Sequence, residues 1–523
     1  MIITKGLMYT AKIRPSQIAI LEDGHRYTYS QLAERTAKLK NALKELGVQK
    51  GDRVGLLMFN NFRYIEIFFA CTAIGAIYVP LNYRLSRGEL KYVINDAEIK
   101  VLFLHKEFID MVPFMREKTP SVEKYILAED REIESELVSY ENIIADKKVT
   151  SSVLDYEDVT EEDLAAIFYT GGTTGRSKGV VFTHRNIFSN YFQTIQHVGF
   201  NHKTNFLHSA PMFHLATGAS AINLVMVGGT QTIIRSFTSE LFFETVEKYK
   251  VTMAMLVPTM LNMLLNDHGF HQHNLSSLNR IGYGASPMSL TLLQKAMRML
   301  PEVQFGQGFG MTEAIGVAYL SYEDHDLFAK DGNESKLRSC GRGILGVELK
   351  VVDENAKPVM PGQIGEIIIR GKNIMKGYWN LPEETAKVLK NGWYHTGDMA
   401  TVDDDHYLYI VDRKKDMIIT GGENVYSREV EEVVYKHPDV LEVAIIGIPD
   451  EKWGEAVTAI VVKKANSTLM EQDIIEFIRP RLANYKVPKF VKFIDELPKT
   501  ASGKILKRNL REQYWQDSSR MVN

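Results

Sequence analysis

The stretch at residues 169–180, which reads YTGGTTGRSKGV, constrains the fold more than any other part of the sequence. Apolar runs typical of buried strands flank it, LAAIF at residues 164–168 and VVFTH at residues 180–184. The sequence therefore predicts a glycine-rich loop between two strands. Glycine lets a ligand approach the backbone closely, and successive N–H groups in such a loop form a concavity that binds anions. Threonine hydroxyls and one lysine add donors and a positive charge, which suits the loop to a polyphosphate.

A Walker A loop is excluded here. That pattern requires Gly-Lys-Ser/Thr at the start of a helix, whereas Lys178-Gly179 precedes a strand-like run. A mobile surface turn is the remaining alternative, and the glycines alone would favour it as much as a ligand site. The TGGTTG core followed by a lysine is more specific. The candidate phosphate-binding residues are Thr170, Gly171, Gly172, Thr173, Thr174, Gly175 and Lys178.

Length and composition limit the class of protein. A chain of 523 residues exceeds what one hydrophobic core usually supports, so two or more domains are expected. A net charge of −3 gives no basic excess, so we expect no nucleic-acid partner. Cys71 and Cys340 form neither a disulfide framework nor a zinc pattern, which favours a reducing cytosol. The longest apolar run, residues 67–81, is shorter than the roughly 20 residues that span a bilayer, so no transmembrane segment is expected.

The first part of the chain alternates between helix and strand. Residues 28–47 have helical apolar spacing and end at a capping glycine, and a strand (53–59), a helix (64–75) and a strand (77–81) follow. This alternation predicts a mostly parallel sheet covered by helices. The pattern becomes hairpin-like at residues 345–369.

The last part of the chain reads as a small α+β domain. Two strand-like runs, VLEVAIIGIPD and GEAVTAIVVK, are expected there. Ser427 is the predicted N-cap of one helix, and Thr468 with Glu471 is a predicted capping box for another.

Several short motifs between these parts carry chemistry. Glu313 at the end of QGFGMTE is a hard oxygen ligand of the kind that Mg²⁺ uses beside phosphate oxygens. Asp398 at the end of WYHTGD has paired oxygens that suit two ribose hydroxyls, although an aspartate after Thr-Gly is also an ordinary turn residue. His214 follows a Pro-Met-Phe turn, and a lone histidine is more often structural. His268, His271 and His273 lack other ligands at metal spacing, so a solvated loop is expected.

One apparent motif is rejected. Gly341, Gly343 and Gly346 make a formal G-x-G-x-x-G, but VELKVVD follows and reads as a strand. A dinucleotide-binding loop must open a helix, so a turn before a β segment is favoured.

The motifs in this order resemble those of the adenylate-forming (ANL) superfamily, which contains acyl-CoA synthetases, luciferases and peptide-synthetase adenylation domains. The resemblance extends over almost the whole chain, and GGENVY, DRKKDMI and KTASGKI are closest in texture to bacterial fatty-acyl-CoA ligases. The chain departs from the family at Gly171 (usually Ser), Ser177 (usually Pro), Phe309 (usually Tyr) and Ser427 (often Pro).

The resemblance implies an α/β fold with a large N-terminal domain of mostly parallel helix-covered sheets plus a β-rich subdomain, and a small mobile α+β C-terminal domain. Its implied limits are an adenylation domain at 1–412, a hinge at 413–416 and a C-terminal domain at 417–523. The implied catalytic residues are Lys504, the hinge residue Lys415 and His214. Gly421 and Gly422 would line the CoA path, and Glu313 and Thr170 would bind the metal. Besides the loop, the implied ATP/AMP-binding residues are Gly284, Ala285, Gln307, Gly308, Phe309, Gly310, Thr312, Asp398 and Arg413.

The implied activity is an ATP-dependent acid–CoA ligase that uses Mg²⁺ and releases AMP and pyrophosphate, with a medium- or long-chain fatty acid as the expected acid. An aryl-acid ligase for coumarate- or ferulate-like acids is the alternative. An amino-acid adenylation enzyme would want an aspartate near His214, and FHLATGAS has none. A non-catalytic nucleotide-binding protein would not need Lys178, Glu313, Asp398, Arg413 and Lys504 together. We expect a cytoplasmic enzyme of small-molecule substrates, with peripheral membrane contact and a homodimer left open.

Overall fold

The computed structural model describes residues 2–130, 137–145, 147, 156, 158–170, 176–286, 288–499 and 505–514. The helices, in chain order, are α1 (Thr4–Ile13), α2 (Tyr29–Glu45), α3 (Arg63–Ile74), α4 (Arg87–Asp96), α5 (Val112–Lys118), α6 (Tyr140–Ala145), α7 (His184–Val198), α8 (Leu215–Val227), α9 (Ser239–Tyr249), α10 (Pro258–Asn266), α11 (Leu290–Met299), α12 (Tyr322–Lys330), α13 (Glu334–Leu337), α14 (Pro382–Val388), α15 (Ser427–Val434), α16 (Glu471–Ile478) and α17 (Lys507–Glu512).

The strands, in chain order, are β1 (Ile18–Glu22), β2 (His25–Thr28), β3 (Arg53–Leu57), β4 (Ile77–Pro80), β5 (Ile99–Leu104), β6 (Lys124–Leu127), β7 (Val138–Ser139), β8 (Leu164–Tyr169), β9 (Gly179–Thr183), β10 (Asn205–His208), β11 (Thr230–Ile233), β12 (Met253–Leu256), β13 (Arg280–Gly284), β14 (Gln304–Phe309), β15 (Ala318–Leu320), β16 (Arg342–Gly343), β17 (Val347–Val352), β18 (Gly365–Gly371), β19 (Gly377–Tyr378), β20 (Leu389–Lys390), β21 (Trp393–Val402), β22 (Leu408–Arg413), β23 (Ile418–Thr420), β24 (Glu423–Val425), β25 (Val440–Asp450), β26 (Gly454–Lys463) and β27 (Phe490–Phe493).

Two large sheets form the N-terminal part. One has the strand order β16-β15-β14-β13-β12-β10-β11-β1-β2, and the other has the order β19-β9-β8-β4-β3-β5-β6-β7. Pairing is parallel from β14 to β1 in the first sheet and from β8 to β7 in the second. The antiparallel pairs are β16–β15, β15–β14 and β1–β2 in the first sheet and β19–β9 and β9–β8 in the second. The predicted parallel sheets covered by helices are confirmed. The strands that flank the glycine-rich loop are confirmed too, and they pair with each other as an antiparallel hairpin.

Local signals set the first helices as expected. The Thr28 side chain accepts a bond from the backbone N–H of Gln31, and the Gln31 side chain accepts one from the N–H of Thr28, which starts α2. Helix α3 is buried along its whole length and ends at Gly75, which has a φ of 70° that favours glycine. The apolar run at residues 67–81 is therefore a buried helix followed by a strand. In the described part of the chain, no helix is long and apolar enough to cross a membrane.

The remaining two sheets are smaller. Strands β17, β18, β21, β20 and β22 form an antiparallel β-rich unit, which confirms the predicted hairpin pattern and the strand after Gly346. Strands β24, β23, β26, β25 and β27 form the sheet of the C-terminal part, and the long hairpin β25–β26 is its centre. The predicted α/β class with a smaller α+β C-terminal part is confirmed.

Two predicted helix caps are wrong. Ser427 is the first helical residue of α15 and not its N-cap, because its hydroxyl is bonded to Asp412 Oδ2 at 2.8 Å. The helix that follows Thr468 begins at Glu471, and the Met470 N–H is bonded to Asp473 Oδ2 at 2.8 Å. An aspartate two residues further along therefore supplies the cap expected from Thr468 and Glu471.

An ion cluster joins α2, α3 and α6, with Arg63 and Glu66 in the interior and Asp130 at the surface, and we call it the N-terminal ion cluster (Arg35, Arg63, Glu66, Asp130 and Glu141). Arg35 Nε lies 2.6 Å from Glu66 Oε1 and its Nη2 lies 2.9 Å from Glu141 Oε1. Arg63 Nη2 lies 2.5 Å from both Asp130 Oδ1 and Glu141 Oε1. The side chains of Glu66 and Arg63 are 0% and 1% exposed, so this cluster holds the helices together from inside.

Candidate active site

The hairpin β8–β9 closes the base of the glycine-rich loop. Thr170 N donates to Lys178 O at 3.0 Å, and Lys178 N donates to Thr170 Oγ1 at 3.2 Å. The two ends of the loop, Thr170 and Lys178, are thus held together. The five residues between them, Gly171, Gly172, Thr173, Thr174 and Gly175, lie outside the described residues. Their role in phosphate binding stays a prediction.

Lys178 and Glu313 are brought together through one tyrosine. Lys178 Nζ lies 5.0 Å from the centre of the Tyr378 ring, and the Tyr378 hydroxyl donates to Glu313 Oε1 at 2.9 Å. Burial, followed by the charge of Glu313, raises the pKa of Tyr378, so this tyrosine stays a neutral donor. The predicted phosphate-binding lysine and the predicted metal ligand therefore lie on the same side of the site.

A strand pairing fixes this arrangement. Strand β19 pairs with β9, with Gly377 opposite Val181 and Tyr378 opposite Val180, and Trp379 N donates to Gly179 O at 2.7 Å. The segment that carries Tyr378 is thus attached to the strand that leaves the glycine-rich loop. Helix α14 follows directly and places Glu384 Oε2 at 2.5 Å from Lys178 Nζ.

Asp398 and Arg413 form an ion pair between strands β21 and β22. They lie opposite each other in the β21–β22 ladder, and Arg413 Nε is 2.9 Å from Asp398 Oδ1. The charge of Asp398 is the main cause that raises the pKa of Arg413. Gly397 has a φ of 70°, a left-handed turn that glycine adopts without strain and that precedes Asp398. The structure thus joins the two residues predicted to contact ribose.

The predicted adenine-flanking segments are neighbouring parallel strands. Gly284 at the end of β13 lies opposite Gly308 in β14, and a Cβ on Gly284 would come within 2.3 Å of Gly308 O. Only glycine at position 284 permits that close approach of the two strands. Ala285 and Ile315 have φ values of 64° and 26°, which are strained for residues with a side chain.

The other residues of this group lie along the same edge. Gln307 and Phe309 are in β14, Phe309 is partly buried against the main core, and Thr312 opens a 3₁₀ turn that contains Glu313. A Cβ on Gly310 would come within 2.4 Å of Ile315 O. Tyr283 in β13 is 2% exposed, and its hydroxyl lies 2.8 Å from His325 Nε2 in the interior.

A narrow apolar cavity lies beside the His214 segment. It has a volume of about 10 Å³, enough for about one water molecule. His214 lies at the start of α8, between Met212 and Gly218, which both line the cavity. The other lining residues are Tyr64, Ile65, Phe68, Tyr78, Phe168, Ala221 and Ile222.

The predicted hinge is held by the C-terminal helix α17. Arg511 Nη1 donates to Lys415 O at 3.2 Å, and Arg511 Nη2 donates to Asp416 Oδ1 at 2.5 Å. Burial lowers the pKa of Lys415 to about 8. Lys507 in the same helix lies 2.7 Å from Glu431 Oε1, so α17 is tied to α15 as well. Lys504, the predicted catalytic lysine, lies outside the described residues.

Gly421 and Gly422 lie in the turn between β23 and β24. Gly421 N donates to Trp453 O at 2.8 Å, and a Cβ on Gly421 would come within 2.8 Å of the Trp453 ring. The Trp453 side chain is partly exposed, and Lys452 Nζ and Lys489 Nζ lie 4.8 Å and 5.1 Å from its ring centre. An aromatic face with two ammonium groups suits a nucleotide, because it offers both stacking and charge. No described contact joins Gly421 or Gly422 to Lys178 or Glu313.

Mg²⁺ fits the residues that were predicted to bind it. Glu313 presents a carboxylate, and Thr170 presents a hydroxyl at the base of the loop. Such hard oxygen donors are those that Mg²⁺ prefers, together with phosphate oxygens and water.

A second group of possible ligands does not favour a metal. Among the described residues, His105, Glu107 and Glu129 bring potential ligand atoms close together. Phe59 N donates to His105 Nδ1 at 3.1 Å, and burial lowers the pKa of His105 to about 3. The neutral ring therefore carries its proton on Nε2, which leaves no lone pair for an ion. His273, from the histidine-rich segment, lies 3.1 Å from Glu247 as an ordinary surface pair.

Sequence reasoning missed Tyr378, Glu384, Trp453 and Arg511. None of them belongs to a sequence motif that indicates its function. Glu384 is 206 positions from Lys178, and Arg511 is 95 positions from Asp416. Only the strand pairing that attaches residues 377–379 to β9 would have indicated the contact between Glu384 and Lys178.

Comparison with known proteins agrees with this geometry. The profile of the family described as "AMP-binding enzyme" matches residues 8–379, and that of the "AMP-binding enzyme C-terminal domain" matches residues 429–504. A feruloyl-CoA synthase of Amycolatopsis sp is 37% identical over 96% of this chain and 97% of its own length. The medium/long-chain-fatty-acid–CoA ligase FadD8 of Mycobacterium tuberculosis is 36% identical over 95% of this chain and 87% of its own length.

A solved structure shows the same architecture. ATP-bound MatB from Rhodopseudomonas palustris has a TM-score of 0.87 at 28% identity, and the match covers 98% of this chain and 99% of that one. The chain therefore belongs to the AMP-binding enzyme family. The predicted reaction class, an AMP-forming acid–CoA ligase that uses ATP, Mg²⁺ and CoA, is confirmed.

Proposed function

We propose that the acid is a medium- or long-chain fatty acid. The lining of the cavity beside His214 carries this proposal, because it consists of aliphatic and aromatic side chains without a charged group. The Tyr64 hydroxyl already donates to Met58 O at 2.8 Å and is not directed to a substrate. An acyl tail needs more room than about one water molecule, so side chains such as that of Met212 have to move as it enters. Methionine is unbranched and adapts readily to such repacking.

An aryl acid is the second candidate, and the similarity to a feruloyl-CoA synthase favours it. A ferulate-like ring carries polar substituents that lose their water on burial. A site for them needs matching hydrogen-bond partners, because an unpaired buried polar group costs binding energy. The apolar lining of the cavity gives the fatty acid the advantage.

The first step joins the acid to AMP. The carboxylate attacks the α-phosphorus of ATP, a bond to the acyl oxygen forms, and pyrophosphate leaves. Positioning and charge neutralisation dominate such a substitution. Lys178 and the glycine-rich loop hold the departing pyrophosphate, Asp398 and Arg413 hold the ribose, and His214 lies beside the carboxylate. Lys504 bridges the carboxylate and the α-phosphate. Mg²⁺ on Glu313 and Thr170 supplies positive charge toward the phosphates when bound.

The second step transfers the acyl group to CoA. The thiol loses its proton to solvent, its sulfur attacks the acyl carbonyl carbon to form the thioester, and the bond from that carbon to the AMP oxygen breaks as AMP leaves. The proposed domain limits, 1–412 and 417–523 with a hinge at 413–416, allow the C-terminal part to rotate about Lys415. That rotation removes Lys504 from the site and brings Gly421 and Gly422 to the pantetheine path, with Trp453 as a stacking face for the nucleotide of CoA.

A panel of acids tests the substrate class. Medium- and long-chain fatty acids and cinnamic acids would be compared by acid-dependent AMP release at matched concentrations. We expect fatty acids to give the higher kcat/KM. A strong preference for cinnamic acids would reject the fatty-acid assignment and support the aryl alternative.

The two half-reactions test the residue roles. Lys504→Ala should abolish adenylate formation and leave thioester formation from a supplied acyl-adenylate, and equal loss of both would contradict the role of Lys504. Lys415→Pro should do the reverse, because it restricts the hinge. Survival of both half-reactions in Lys415→Pro would reject rotation at that residue.

We also propose a cytoplasmic location and a homodimer. Cys71 and Cys340 are buried free thiols, which suit a reducing compartment. Cell fractionation tests the location, and light scattering after size exclusion tests the dimer.

A further inference from the structure

The ammonium of Lys178 is already paired with a carboxylate of the same chain. Glu384 Oε2 lies 2.5 Å from Lys178 Nζ, and the two side chains are 32% and 29% exposed. The same ammonium is the one proposed to neutralise the departing pyrophosphate. Glu384 and the phosphates therefore compete for the Lys178 ammonium.

The position of Glu384 is set by its surroundings and does not result from a random surface encounter. Tyr378 N donates to Thr385 Oγ1 at 2.9 Å, which ties the first turns of α14 to β19. Strand β19 is paired with β9, the strand that begins beside Lys178. The bond between Tyr378 and Thr385 and the pairing of β19 with β9 therefore hold the Glu384 carboxylate beside the Lys178 ammonium.

Glu384 remains an anion throughout the neutral range. Hydrogen bonds from Lys178 and then from Lys387 lower its pKa to about 2. Lys387 Nζ lies 2.5 Å from Glu384 Oε1, so the carboxylate keeps one cation when it releases the other. Release of Lys178 therefore does not leave an unpaired charge, which makes the pair easy to exchange.

We propose that Glu384 is a positioning residue that exchanges Lys178 with the phosphates of the nucleotide. This inference rests on the proposed function of Lys178. ATP carries more negative charge than one carboxylate, so it takes Lys178 from Glu384 on binding. When pyrophosphate leaves, Glu384 takes Lys178 back. The carboxylate thus weakens the hold on both ATP and pyrophosphate and speeds product release.

Glu384→Gln tests the exchange, because it keeps the shape of the side chain and removes its charge. We expect tighter binding of ATP and of pyrophosphate by about two- to fivefold, the range that a partly exposed ion pair supplies. Pyrophosphate should become a stronger product inhibitor by a similar factor, and KM for CoA should not change. Isothermal titration with pyrophosphate and with ATP, and product-inhibition kinetics, measure these changes.

Glu383→Gln is the matched control. Glu383 is exposed and next in sequence, so the same charge change there should leave pyrophosphate binding as in wild type. A second control combines Lys178→Met with Glu384→Gln. In the Lys178→Met background, the Glu384 substitution should no longer alter pyrophosphate affinity, because the shared cation is gone.

Two outcomes would overturn the exchange. Weaker ATP and pyrophosphate binding in Glu384→Gln would show that Glu384 supports the bound state, and unchanged binding would show that it does not compete. Acid-dependent exchange of labelled pyrophosphate into ATP by the wild-type enzyme separates this failure from that of the proposed function. If labelled pyrophosphate is incorporated into ATP, only the role of Glu384 is rejected. If no acid supports that incorporation, the proposed function itself is rejected.

Discussion

The N-terminal ion cluster and the Lys178–Glu384 pair are built from the same kinds of groups but differ in burial. In the Arg35–Glu66 pair of the cluster the side chains are 16% and 0% exposed, whereas Lys178 and Glu384 are 29% and 32% exposed. A buried ion pair cannot lose one partner cheaply, because the other is left as an unpaired charge without water. A partly exposed pair can, because water replaces the partner. Burial therefore decides which ion pairs fix the fold and which can take part in a reaction cycle.

The largest expected effect is at Arg35. Arg35→Met leaves the Glu66 carboxylate buried with only the Tyr140 hydroxyl, which donates to Glu66 Oε2 at 2.6 Å. We expect a loss of about 3–5 kcal/mol in the free energy of unfolding, measured by urea denaturation. The double variant Arg35→Met, Glu66→Leu should recover part of that loss, since no unpaired charge remains and the Tyr140 hydroxyl alone is left without its acceptor. A double variant as unstable as the single one would contradict the role of the buried charge.

Lys178→Met should affect the reaction and not the fold. We expect the rate of adenylate formation to fall about 10²–10³-fold, the usual result of removing one group that stabilises developing charge. The free energy of unfolding should change by less than about 0.5 kcal/mol. Arg176→Met is the control, because Arg176 is a neighbouring cation that packs over the Tyr92 ring at 5.3 Å. Equal rate losses in both variants would show that general loop charge matters and that Lys178 is not specific.

The pH dependence of stability tests a carboxyl beside the N-terminal ion cluster. Burial raises the pKa of Glu22 from 4.5 to about 7, against the opposing hydrogen bond from Phe62 N and the charge of Arg63. The folded state therefore holds a proton that the unfolded state releases, and this contribution to stability is lost as pH rises from about 4.5 to 7. Relative to Glu22→Gln, wild type should lose about 3 kcal/mol across that window.

Urea denaturation of both proteins at several pH values measures this difference. Glutamine turns one amide N–H toward a donor, but that cost is the same at every pH and does not alter the slope. Parallel stability curves for the two proteins would show that Glu22 is charged in the fold.

The smallest expected effect is that of salt. Raising ionic strength from 0.1 M to 1 M shortens the screening length from about 10 Å to about 3 Å. The difference in pyrophosphate affinity between Glu384→Gln and wild type should shrink toward none. The coupling between Arg35 and Glu66 in a double-mutant cycle should change little, because the Glu66 side chain is 0% exposed. If salt weakened the Arg35–Glu66 coupling as much as the effect of Glu384 on pyrophosphate affinity, burial would not explain the difference between the two ion pairs.

Much of the fold could be predicted from local pattern. Helix α2 and the strands β3, β4, β8 and β9 follow directly from apolar periodicity and from caps such as Thr28 and Gly75. The cap of α16 could not, because Thr468 and Asp473 compete for the same helix start. The buried side chain of Leu469 sets the chain direction just before α16, and Asp473 then bonds to Met470 N. Tertiary packing decides such a choice, and sequence spacing does not show it.

The candidate site divides in the same way. Lys178, Glu313, Asp398 and Arg413 were predicted because each lies in a compact motif. The described structure links Lys178 to Glu313 through Tyr378 and pairs Arg413 with Asp398. Their partners Tyr378 and Glu384 come from a segment that pairs with β9 only in the folded chain. An ion pair across 206 positions leaves no local signal. The roles of Lys504 and of the loop centre stay predictions.

The contact between Arg511 and the predicted hinge has a consequence for synthesis. Asp416 and Arg511 are 95 positions apart, so at about 5–20 residues per second the ribosome adds the arginine roughly 5–20 s after the aspartate. During that interval all strands of both large sheets have been synthesised, whereas Asp416 still lacks its ion pair with Arg511. The two parts of the molecule can thus fold in succession, and their relative orientation is set last.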